Sequence, residues 1–192
     1  MTSRIMRSVA VLAAAAAVTV GLATQAHAAI VDRGSWSESG TDSFDDCGFV
    51  VDVQWSDPGS WKIQSRQPGS EAFYGSFAAE YRDVLTNPET GVWMVVYGKY
   101  TFREIKATHV EGDIYQFRQH TAGVPIVVED SDGNVVLRDR GLVVWEQVFD
   151  TFGDGEPSGE PISFELVSTH DPHPELYMTD EERCAKIAEL IG

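Results

Sequence analysis

The chain has 192 residues and carries 30 acidic against 14 basic side chains, a formal charge of −16. That balance excludes surfaces built to meet phosphate with Lys and Arg, so neither nucleic acid nor an anionic membrane is expected as a partner. With 43 % hydrophobic and 10 % aromatic residues, the length suits one folded domain with a sizeable core.

Residues 1–28 carry Arg4 and Arg7, an apolar run from Val9 to Ala23, and then Ala26-His27-Ala28, which fits the small-x-small cleavage rule. They read as a secretory signal peptide. The apolar run is shorter than the roughly 20 residues a membrane span needs, and the two arginines are not adjacent as a twin-arginine signal requires. The expectation is a secreted, extracellular protein cleaved before Ala29, with residues 29–192 as a single domain free of the membrane. Losing Arg4 and Arg7 makes that domain more acidic still, which serves solubility. Cys47 and Cys184 are an even count in an exported chain and predict one disulfide that ties the start of the domain to its last helix. A redox pair would sit close in sequence, as in Cys-x-x-Cys.

From Ile30 to Phe44 a polar stretch holding Trp36 and Phe44 suggests a weak edge strand that feeds a turn at Asp45-Asp46-Cys47-Gly48. Phe49, Val51, Val53 and Trp55 then alternate with polar residues, and Trp61, Ile63 and Ser65 repeat the pattern. Pro58-Gly59-Ser60 and Pro68-Gly69-Ser70 read as turns of an antiparallel meander. Phe73 to Leu85 is a long strand with Phe73, Phe77, Tyr81 and Leu85 on one parity. After a turn at Asn87 to Gly91, Val92 to Thr108 is another, broken by Gly98. Tyr115 and Phe117 alternate with Gln116 and Arg118, and a short strand follows at Ile126 to Val128.

The strongest local signal is Ser131-Asp132-Gly133-Asn134 between two β-prone runs, because glycine tolerates the positive φ of a tight hairpin. The second arm, Val135 to Phe149, is about twice the usual strand length, and Gly141 inside it marks a bend or bulge. An acidic loop at Gly153 to Glu160 precedes a last strand at Ile162 to Leu166. Thr179 with Glu182 forms a capping box, opening a helix with Cys184, Ile187, Ala188 and Ile191 on one face. The fold expected is mainly β: a single antiparallel β-barrel of about eight strands with one C-terminal helix, since closure removes exposed edges. A β-sandwich is the alternative.

Several segments together carry a resemblance: Cys47-Gly48-Phe49, Thr86 to Gly91, Val127 to Gly133, Arg138 to Gly141 and Pro172-His173-Pro174. With the leader, they make the chain resemble uncharacterised secreted proteins of actinobacteria over nearly all of the mature sequence. The resemblance implies export and a β fold; it brings no activity, cofactor or catalytic residue.

Candidate sites are few. Glu104 follows Tyr100 and Phe102, Glu146 lies between Val144 and Val148, and Asp83 sits between Tyr81 and Leu85. Carboxylates facing a barrel lumen need partners such as Arg103 or Arg118, and a perturbed one could serve as general acid or base. The plainer reading leaves these acids in water. Trp61, Phe73, Phe77, Tyr100, Phe102 and Tyr115 could line a lumen, with Phe77, Tyr100, Phe102 and Tyr115 as ligand-binding candidates, or could fill a packed core. His170 and His173 in His-Asp-Pro-His-Pro are weak metal candidates, since prolines spread the rings. Asp130 to Asn134 begins like a calcium loop but has Val135 and Gly141 where that motif needs Gly and Glu. No nucleophile elbow or phosphate loop is present, and no cofactor is expected.

The leading functional expectation is therefore a small apolar or amphipathic ligand held in the barrel. Two alternatives stand beside it: a cofactor-free isomerase or hydrolase using Glu104 or Glu146, and an extracellular interaction module with an exposed apolar patch.

Overall fold

The computed structural model describes residues 29–65 and 72–192. The leader and the Pro68-Gly69-Ser70 turn lie outside the described residues. Seven strands follow one another: β1 (Ala29–Phe44), β2 (Val51–Ser65), β3 (Phe73–Thr86), β4 (Trp93–Glu111), β5 (Ile114–Glu129), β6 (Val135–Asp150) and β7 (Glu160–His170). They pair in sequence order as one antiparallel sheet, with a one-turn 3-10 helix at Glu175–Tyr177 and a single α-helix, α1 (Asp180–Ile191). The mainly β fold with one C-terminal helix is as expected; the strands number seven among the described residues, where about eight were anticipated. The pairing runs from β1 to β7, and among the described residues no ladder joins those two edges.

One expected turn and one expected strand boundary are absent because the strands run through them. Pro58-Gly59-Ser60 lies inside β2, with Trp36 opposite Gly59 and Ser37 opposite Pro58. Proline lacks the N–H a ladder needs, and the β2–β3 pairing skips Asp57 and Pro58. The strand continues because the β1 side holds it. The indole of Trp36 lies so close over Gly59 that a methyl there would stand 2.0 Å from the ring. Trp61 covers Gly34 and Trp55 covers Gly40 in the same way, at 2.9 and 2.8 Å. Each tryptophan sits directly opposite its glycine, and three such pairs fasten an otherwise polar edge strand by aromatic cover of backbone. The second merger joins Tyr115 and Phe117 to Ile126–Val128 in one strand, β5, with a register shift between Gly123 and Ile126.

The register separates two faces. Gly34, Trp61, Phe77, Phe102 and Thr121 lie in one row across β1 to β5, and their neighbours along each strand point the other way. The first face is the inner one, because Ile63 of β2 and Phe149 of β6 line the same cavity of about 160 Å³. Four strand spacings in a flat sheet would hold them about 19 Å apart, so the sheet is strongly curled. Mid-strand glycines allow it: a methyl at Gly98 would stand 1.9 Å from the Pro125 carbonyl oxygen, and Gly141 adopts φ 110°.

Helix α1 covers one end of the inner face. Ile187 and Ile191 pack with Val51, Leu85, Met94, Val128 and Leu137, one residue from each of β2 to β6. Thr179 caps the helix by accepting from the Glu182 N–H at 3.2 Å, and the Glu182 carboxylate accepts from the Thr179 N–H at 2.8 Å. At the other end the buried Asn87 side chain donates to the Ile191 carbonyl at 3.0 Å, satisfying one of the helix's orphan acceptors. The Cys47–Cys184 disulfide, as expected, locks the β1–β2 turn to the helix. Closing a loop of 137 residues removes about 5 kcal/mol of unfolded-chain entropy in the polymer model, an upper figure.

The tryptophan cover gives a direct stability test. Gly59→Ala forces the Trp36 indole off its seat and is expected to cost about 1–3 kcal/mol in urea unfolding. An unchanged midpoint would show that the ring does not hold β1 to β2.

Candidate functional site

The inner face carries two polar groups, and one opens onto a cavity. The β3–β4 ladder ends at Ser76 and Arg103, and the β4–β5 register shifts just beyond, between Glu104 and Lys106. There the Gly75 N–H donates to Glu104 Oε2 at 2.5 Å. A Cβ on Gly75 would stand 3.3 Å from that oxygen, so glycine permits the approach. Gln119, only 2 % exposed, donates through Nε2 to Glu104 Oε1 at 3.2 Å and to Gln147 Oε1 at 2.6 Å. These donors give the partly buried carboxylate the hydrogen-bond partners that burial demands. Glu104 lies on the wall of the 160 Å³ cavity, whose other walls are Ile63, Phe73, Phe117 and Phe149, with Thr151 and, from the β6–β7 loop, Pro157 and Ser158 alongside. Phe117 meets both Tyr74 and Phe149 edge to face at 6.1 Å, which fixes the aromatic wall.

The second group lies nearer the helix. Tyr81 reaches across Gly98 to donate its hydroxyl to the Pro125 carbonyl at 2.8 Å. Burial first, then the carboxylates of Asp83 and Glu175, hold the phenol well above its ordinary range, so it stays a donor. Asp139, 2 % exposed, accepts from the Glu175 N–H at 2.9 Å, and its other oxygen is 3.9 Å from Nδ1 of the buried His173. Burial, then the nearby Asp57 carboxylate, raises Asp83 above its ordinary value.

The structure divides the residues singled out from sequence. Glu104 faces inward. Glu146 belongs to the opposite face, where Gln116 donates to it at 2.8 Å and Arg118 lies at 3.5 Å. Phe77, Tyr100 and Phe102 come together: Phe77 stacks on Phe102 at 4.8 Å and meets Tyr100 at 5.9 Å and Trp36 at 6.5 Å. They pack on one another, each half-buried. Tyr115 stands apart, between His109 at 5.2 Å and Phe117 at 6.4 Å. His173 is turned to the His170 carbonyl and Asp139, and no cluster of three metal-ligating side chains occurs among the described residues. Asp130 accepts from the backbone N–H of Asp132 and Asn134, a turn-stabilising role.

Sequence reasoning missed Gln119, Gln147, Phe149 and the Asp139–His173 contact. Gln119 was within reach, because it shares the parity of Tyr115 and Phe117. Asp139 and His173 meet only through the fold.

Asp83 gives a pH test. A carboxyl whose folded pKa lies above its ordinary 3.8 binds its proton more tightly when folded. Stability from this group is therefore highest below that range and falls as pH rises through the folded pKa. Asp83→Asn is expected to stabilise the protein more at pH 7 than at pH 3 by urea unfolding; an equal gain at both would contradict this. Comparison of the chain with family models, with curated proteins and with solved structures gave no match.

Proposed function

We propose that this is an exported protein that binds a small amphipathic molecule, one with an aromatic or short aliphatic body and a hydrogen-bond-donating head, in the Glu104 cavity. The observation that carries the reading is one carboxylate, oriented by Gly75 and Gln119, on the wall of a cavity lined mainly by Ile63, Phe73, Phe117 and Phe149. Its 160 Å³ suits a single ring, since an apolar cavity of about 150 Å³ holds benzene. Binding is favoured over catalysis because Glu104 is the one titratable group among the described residues that line the cavity, while proton transfer between two sites needs a second. Export is supported by the leader and by the Cys47–Cys184 bond, the kind that persists outside the cytosol. No helix among the described residues is long and apolar enough to cross a membrane.

The test uses protein taken from culture supernatant, whose first residue this reading places at Ala29. Calorimetric titration with benzylamine is expected to show saturable binding and titration with phenylacetate none. Glu104→Gln should weaken benzylamine about tenfold by replacing a charge-assisted hydrogen bond with a neutral one. Equal binding of amine and carboxylate, or an unaffected Gln variant, would reject the site.

A further inference from the structure

The outer face of the sheet carries a row of charge that the overall composition hides. Across the strands, Arg33 of β1 stands opposite Lys62 of β2, and Lys62 opposite Ser76 of β3. Ser76 in turn stands opposite Arg103 of β4, and Arg103 opposite His120 of β5. Five strands at about 4.8 Å spacing make this row about 19 Å long. Among the described residues no side-chain hydrogen bond or ion pair engages Arg33, Lys62 or Arg103. Like charges placed directly opposite on neighbouring strands destabilise a sheet. In a chain with 30 acidic residues, pairing these cations with acids was readily open to it. The fold instead sets Arg33 directly opposite Lys62, with Arg103 two strands on, and no acid pairs with any of the three among the described residues. His120 joins as a neutral ring at pH 7, because burial, then Arg118 and His170, hold it below the usual imidazole range.

Beside this row the register sets Ser35, Ser60, Ala78, Thr101 and Ala122, all small. They form the floor of a groove that crosses the strands. Two contiguous stretches of it, with volumes of about 540 and 860 Å³, share Ser60, Ala78 and Thr101. Arg33, Lys62 and Arg103 form one wall.

We propose that this groove binds an extended polysaccharide bearing isolated carboxylate groups, its chain lying across the strands with its anions against Arg33, Lys62 and Arg103. Arg33, Lys62 and Arg103 are spread over about 14 Å from β1 to β4, which suits carboxylates set at intervals along a sugar chain. Ser35 and Ser60 supply hydroxyls for sugar hydroxyls. A nucleic acid presents phosphate too densely for a protein of charge −16. An extended peptide gains affinity by adding a strand to a sheet edge, whereas this groove crosses the strands, and beneath it the backbone groups of β2 to β5 are spent in ladders on both sides.

Titration of the whole mature protein with oligogalacturonate, neutral dextran, poly-glutamate and duplex DNA tests this. Oligogalacturonate is expected to bind, weakening as salt rises, and dextran not to bind. Arg33→Ser, Lys62→Ser and Arg103→Ser should each weaken binding about threefold, as expected of exposed charge contacts, and the triple variant about thirtyfold. The triple variant should also melt at a higher temperature, since it relieves repulsion between opposed cations. The proposal is overturned if no oligogalacturonate binds, if dextran binds as well, or if poly-glutamate or DNA binds more tightly. A triple variant that binds unchanged or melts lower overturns it too.

Discussion

A strand side chain can point only two ways, and the antiparallel register from β1 to β6 makes that choice once for six strands together. Every site described here follows from it. One parity gathers Trp61, Phe77, Phe102 and Glu104 inside the curl; the other gathers Arg33, Lys62 and Arg103 outside. A slip of one residue in any ladder would exchange core for surface along that strand. The Trp36–Gly59, Trp55–Gly40 and Trp61–Gly34 pairs resist such a slip on β1, because each indole fits only over a residue without a side chain.

Curling places aromatic side chains from distant strands in one space, and small residues make room for them. Gly98 lets Tyr81 span from β3 to β5, and Gly75 lets the Glu104 carboxylate reach a backbone N–H. The helix then seals one end through Ile187 and Ile191, and the disulfide holds it there. Hydrophobic contact across five strands at that end leaves the opposite end, under the β6–β7 loop, as the place where a cavity persists. The Glu104 group is held by donors on the neighbouring strands β3 and β5, which makes its geometry a property of the sheet.

What was legible in the sequence was local. The Asp130 to Asn134 hairpin, the Thr179–Glu182 capping box and the Ile187 face each need only a few neighbouring residues. Pro58-Gly59-Ser60 misled because its turn chemistry is also local, while the tryptophan that overrides it comes from another strand. A signal was present: Gly34, Trp36 and Gly40 mirror Trp61, Gly59 and Trp55 in reversed order, as antiparallel partners must. Glu104 and Glu146 could not be told apart, because Val143 and Val144 are both buried and the β6 segment is apolar on both faces. The basic row was invisible, since its members lie on separate strands and become neighbours only through the register.

The sheet curls until β2 and β6 share an interior. Nuclear Overhauser contacts between the Ile63 methyls and the Phe149 ring measure it directly. Strong cross-peaks between them are expected together with the amide ladders from β1 to β7. Intact ladders with no Ile63–Phe149 contact would describe an open, flatter layer and contradict that curl.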